Sequence, residues 1–145
     1  MAMRTTQKTA HQKEKGQAVT LFAIMLPLTT IFALLLFDYM ITTSRLMDAV
    51  AVADLSAHAG AQEVAVYPDG VIYATDQGEV IAAAYFGVQA PTYVQLTGIS
   101  CGRVNERPAC QVSAQVSSPG FFLPQRSISF NAIGYLSNGV TRGDQ

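Results

Sequence analysis

Lysine is absent from this chain after Lys15, histidine occurs only at His11 and His58, and cysteine only at Cys101 and Cys110. Each scarcity removes a class of chemistry. A Ser/His/Asp or Cys/His arrangement would have to be built around His58 alone. Asp54 lies one helical turn before it, but no nucleophile or further ligands accompany the pair. The two cysteines have no second Cys or His near enough to complete a four-ligand zinc site. There is no P-loop, no GxGxxG after a strand, no GxSxG, no HExxH and no CxxC. No cofactor or metal is implied, and nothing points to an enzyme.

Charge is also scarce, at 13% of residues, while half the chain is hydrophobic. That balance is apolar for a soluble chain and ordinary for one that places a fifth of its length in lipid. From Asp38 onward nine acids face five arginines, a balance of −4, which excludes the basic face that nucleic acid requires.

What the chain does have is an uncharged run of 22 residues, Gly16 to Phe37. About 20 helical residues cross a hydrocarbon core, so the run is long enough to span one. It exceeds the apolar core of a secretory signal, and DYMITTSRLMDAV after it offers no small-residue cleavage site. Arg4, Lys8, Lys13 and Lys15 precede the run against the single acid Glu14, which keeps the tail in the cytoplasm. Pro27 removes a helical hydrogen bond inside the span and predicts a kink. Asp38, at the outer edge, reaches headgroups or water; a buried partner in another subunit is the sharper alternative.

No helix breaker follows Phe37, so the helix is expected to continue outward. Leu46, Val50, Ala53, Ala57 and Gly60 recur at three- and four-residue spacing, with Asp48, Asp54, Ser56 and His58 off that stripe. Small residues along one face let another helix approach closely, either a neighbouring subunit's or the chain's own second helix. After YPDG, the segment DQGEVIAAAYFGV predicts that second helix, with Asp76 and Glu79 at capping-box spacing and Val80, Ala83, Ala84 and Gly87 on its apolar side. Gln89, Ala90 and Pro91 end it. Tyr85, Phe86, Phe121 and Phe122 read as core or connector packing.

Three β-like segments follow: YVQLTGISC, ACQVSAQVSS and SISFNAIGYL. Cys101 and Cys110 both fall in the part expected outside the cytoplasm, where they can pair. They would staple the first two strands into a hairpin, and closing so short a loop is worth about 2.7 kcal/mol in the chain-entropy model. SSPGFFLPQ would connect the second strand to the third, and SNGVTRGDQ reads as a frayed terminus.

The expected architecture is therefore α+β: a long N-terminal transmembrane helix continuing outward, a second helix, then a small antiparallel β-sheet of about three strands. The boundaries are a basic cytoplasmic tail at 1–15, a transmembrane helix at 16–43, an outward helical continuation at 44–66, and an extracytoplasmic helix plus β-module at 67–145. The protein would be single-pass, with the lipid bilayer as one partner.

The stretch from Glu14 to Gln62 resembles the N-terminal segment of the TadE/TadG-like proteins of the Tad (Flp, tight-adherence) pilus system. Members typically show a charged residue and Gly, a hydrophobic helix with internal Leu-Pro, an acid at its end, a basic position and an alanine-rich run. Here these are Lys15-Gly16, Leu26-Pro27, Asp38, Arg45 and Ala49 to Ala61. The resemblance implies a non-enzymatic, pseudopilin-like component of a bacterial surface pilus or secretion apparatus. Its partners would be other subunits of that apparatus or further copies of itself. Gly16 and Gln17 would mark a processing site, but prepilin-peptidase substrates usually carry Glu five residues after the cleaved Gly. Leu21 fills that place, followed by Phe22, which favours an uncleaved, TadG-like reading. Two other classes share the topology: a membrane-tethered enzyme, which would need a pocket with a base, and an anchored binding or sensor module for an envelope polymer or partner.

Overall fold

A computed structural model describes residues 6–137, with side chains from residue 17 onward. The expected frayed terminus lies outside the described residues from 138 on, as does the start of the basic tail before Thr6.

The first helix, α1 (Thr6–Ala61), runs unbroken for 56 residues, roughly 84 Å at 1.5 Å per residue. It is long and apolar enough to cross a membrane. Pro27 lies inside it without ending it. Thr29 and Thr30 turn their hydroxyls back onto the helix, donating to the Leu26 carbonyl at 2.9 and 2.8 Å. Such back-bonding hides the only polar side-chain atoms of the middle turns.

After α1 come two short strands, β1 (Val64–Val66) and β2 (Ile72–Ala74), then α2 (Asp76–Gln89), β3 (Val94–Val104), β4 (Arg107–Ser118) and β5 (Arg126–Tyr135). The fold class is α+β, as expected. β1 and β2 form a small hairpin, while β3, β4 and β5 make an antiparallel sheet in that order. The outward continuation therefore stops at Ala61 rather than reaching residue 66, because Val64–Val66 pairs with Ile72–Ala74 instead. The YPDG turn closes that pair: Gly70 takes φ +77°, and Asp69 accepts the Val71 N–H at 2.9 Å.

The β3–β4 hairpin is longer than the two segments expected from the sequence. It closes in a two-residue turn, Asn105-Glu106, with φ of 50° and 63° and Val104 opposite Arg107; both angles are those of the tight turns that match strand twist. Pro108 is tolerated because β5 reaches only Ala109 on that side.

One face of the sheet carries Val94, Ile99, Cys110, Val112, Ala114, Val116, Phe130 and Ala132, and both helices cover it. α1 lies on β4 and β5, and α2 on β3. The buried side of α1 is Ala49, Ala53, Ser56, Ala57, Gly60 and Ala61. This corrects two assignments on the expected stripe, since Val50 is 42% exposed and Ser56 is wholly buried. Side-chain size decides the face: a Cβ on Gly134 of β5 would collide with the Ala57 and His58 backbone. Bulk is excluded where helix and sheet come this close.

The same logic turns α2 over. Gly78, Ala82 and Phe86 are buried, not Val80, Ala83, Ala84 and Gly87. A Cβ on Gly60 would stand 2.6 Å from the Gly78 carbonyl oxygen, so the helices cross glycine to glycine. The capping box does not form either. Thr75 is the N-cap without a side-chain cap, and Glu79 accepts the Cys101 N–H at 3.0 Å from the neighbouring strand.

Candidate functional site

The chain's most distinctive polar site lies where the bare apolar part of α1 meets the sheet. From Gln17 to Phe37 nearly every side chain of α1 is exposed, and then Asp38 is 2% exposed. Its carboxylate is enclosed by the β4–β5 loop. The Phe122 N–H donates to Oδ2 at 2.9 Å, the Phe121 N–H to both oxygens at 3.1 and 3.2 Å, and the Leu123 N–H to Oδ2 at 3.3 Å. Three consecutive backbone donors converge on one anion, a concave arrangement suited to a charge. The partner of Asp38 is thus the chain's own loop, which answers the alternative of a partner in another subunit.

Above the cradle the contacts continue up one side of α1 at helical spacing. Thr42 shares a 2.6 Å hydrogen bond with Ser118. Arg45 donates to the Ser117 carbonyl at 3.2 Å and lies 4.5 Å over the Tyr93 ring. The Tyr93 hydroxyl donates to Asp48 at 2.9 Å. Burial and that carboxylate push the Tyr93 phenol above its ordinary range. Residues 38, 42, 45 and 48 therefore bolt the lower end of the sheet to the helix, and the small residues 49, 53, 57 and 60 carry the packing upward. A cavity of about 180 Å³ beside the cradle is lined by Tyr39, Thr42, Ser118, Leu123, Arg126 and Ile128.

The loop itself faces outward. Phe121 is 72% exposed and Phe122 54%, with the Phe121 ring 6.3 Å from Phe37. Of the aromatics read as core or connector, only Phe86 is in the core; Tyr85, Phe121 and Phe122 are exposed.

Cys101 and Cys110 are disulfide-bonded at directly opposite positions of β3 and β4. His58 and Asp54 are brought together, with Nδ1 2.9 Å from the Asp54 carbonyl oxygen and 3.5 Å from its carboxylate. Both are exposed. Among the described residues no group of three or more His, Cys, Asp or Glu is placed to hold a metal. Leu46, Val50, Ala53, Ala57 and Gly60, the expected helix-packing face, meet the chain's own sheet and α2, apart from exposed Val50. Gly16 and Gln17 lie within the continuous α1.

The sheet's other face is mostly polar along its length, with Gln111, Ser113, Gln115 and Ser117 of β4 beside Ser127, Ser129 and Asn131 of β5, while Ile133 sits beside Gln111 and Arg107 stacks over Tyr135 at the turn end.

No family model matches this chain, and neither does any curated protein or solved structure.

Proposed function

We propose that this protein is a non-enzymatic, pseudopilin-like structural component of a Tad/Flp-type pilus or secretion apparatus, anchored in the bacterial cytoplasmic membrane. Residues 17–37 cross the bilayer, the lysine-bearing tail stays in the cytoplasm, and the α+β head lies outside. The observation that carries this reading is the continuity of α1: one 56-residue helix is bare and apolar at one end and the spine of the head at the other. A rigid shaft fixes how the head stands over the membrane, which suits assembly into an array better than turnover. The resemblance of residues 14–62 to TadE/TadG-like segments supplies the pilus context.

Deleting the gene in the source bacterium should abolish surface filaments, and crosslinking in intact membranes should capture pilus-assembly subunits. Normal filaments together with no such crosslinks would overturn the reading. Cysteine-reactive labels that cannot cross the membrane should reach residues introduced after Arg45 and miss those before Lys15; the reverse pattern would reject the orientation.

The row of Gln and Ser side chains on the sheet's other face favours one alternative, an anchored module that binds an envelope polymer. Retention of the protein on isolated cell-wall polymer, lost on changing Gln111 and Gln115 to Glu, would support that alternative.

A further inference from the structure

We infer that the β4–β5 loop is a second membrane contact: Phe121, Phe122 and Leu123 enter the outer boundary of the bilayer beside α1 and fix the tilt of the head. The inference rests on residues 17–37 being the membrane span.

Level is the first argument. The 21 residues from Gln17 to Phe37 rise about 31 Å, the thickness of a hydrocarbon core. Phe37 therefore marks the outer boundary, and the loop touches α1 there, with Phe121 against Phe37 and three amides on Asp38. The exposed apolar surface of the loop is continuous with that of the helix.

The second argument concerns the backbone. An irregular loop is ordinarily barred from lipid because its N–H groups would be left without partners. Here the N–H groups of the three apolar residues are all satisfied by the Asp38 carboxylate. The acid is itself shielded, so the loop presents side chains and no bare donors from those residues.

The third is composition. SSPGFFLPQ carries no charge, Arg126 follows directly, and exposed Tyr39 lies on α1 beside Asp38. Aromatics with a flanking cation are the residues that settle at the headgroup boundary.

The chain contains no tryptophan, so single substitutions report without background. The full chain would be reconstituted in vesicles of phosphatidylethanolamine and phosphatidylglycerol, with or without bromine near the carbonyl end of the acyl chains. Phe121→Trp and Phe122→Trp should lose emission in brominated vesicles and resist aqueous acrylamide. Tyr67→Trp, at the tip of the β1–β2 hairpin, should do the opposite, and Phe32→Trp should be quenched by bromine placed deeper. If Phe32→Trp is quenched by lipid while both loop variants respond only to acrylamide, the loop contact is refuted and the span stands. If Phe32→Trp also escapes lipid quenching, span and contact fall together. Loop variants shielded from acrylamide yet untouched by bromine would place a second copy of the chain over the loop, overturning the assignment to lipid.

Discussion

The Asp38 carboxylate accepts the Phe122 N–H at 2.9 Å across 84 residues of sequence, and this one contact joins the emerging helix to the loop between the last two strands. Because the Phe121 and Leu123 amides converge on the same group, removing the charge affects all three donors at once. Asp38→Ala should accelerate amide hydrogen exchange at Phe121, Phe122 and Leu123 while leaving the centre of β4 protected. Asp38→Asn, which keeps an acceptor oxygen, should fall between the two. Unchanged exchange at those amides would show that Asp38 does not hold the loop.

The disulfide closes ten residues, Cys101 to Cys110, and the chain-entropy model assigns that closure about 2.7 kcal/mol. Changing both cysteines to alanine should lower the unfolding free energy, measured by denaturant titration, by a comparable amount at unchanged fold. Mass spectrometry of protein from an oxidising compartment should find neither thiol alkylated without reductant. Free thiols there would refute the bond as the native state.

The Asn105-Glu106 turn holds a glutamate at φ 63°, a left-handed conformation that costs an L-residue with Cβ about 1 kcal/mol. Glu106→Gly should stabilise the hairpin by about 0.5 to 1 kcal/mol, less whatever the extra freedom of glycine returns to the unfolded chain. A lower melting temperature for this variant would contradict the turn geometry.

What was legible in the sequence was local. The uncharged run, the second helix from Asp76 to Gln89 and the Cys101–Cys110 hairpin each depend on neighbours within a dozen residues, and the structure has all three. The misread features depend on distant partners. Val50 suits the stripe by hydropathy and spacing better than Ala49 or Ser56, whereas the approach of β5 at Gly134 selects for small size. β1 and β2 are three residues each, too short for alternation to register. The cradle left almost no signature, because backbone N–H donors are present in any sequence. Its available clue was an acid closing an apolar helix, together with an uncharged connector bracketed by Pro119 and Pro124.

Ala53, Ser56 and Ala57 are fully buried, the two alanines within the core shared with the sheet and second helix. Ala53→Leu and Ala57→Leu should each cost about 1 to 3 kcal/mol through overpacking, and Ser56→Leu should do the same although Ser56 lies off the stripe expected from the sequence. The measurement is the melting temperature of the purified full chain. An unchanged melting temperature with lost subunit crosslinking would move this face to an intersubunit contact.

The sharpest test of the fold is the crossing of α1 and α2 at Gly60 and Gly78. A Cβ on Gly60 would meet the Gly78 carbonyl oxygen at 2.6 Å and both the Ala82 Cβ and the Cys110 Sγ at 3.0 Å. Backbone on one side and a disulfide sulfur on another leave no flexible side-chain end to move aside. Gly60→Ala and Gly78→Ala should therefore each destabilise by about 1 to 3 kcal/mol, despite the better helix propensity of alanine. Gly87, in the same second helix, has nothing within 4 Å of its would-be Cβ, so Gly87→Ala should stabilise by about 0.5 to 1 kcal/mol. Opposite signs at Gly78 and Gly87 isolate the contact from propensity, since both residues lie in α2 and differ in what surrounds them. The same sign at both would mean that the helices do not cross at this point.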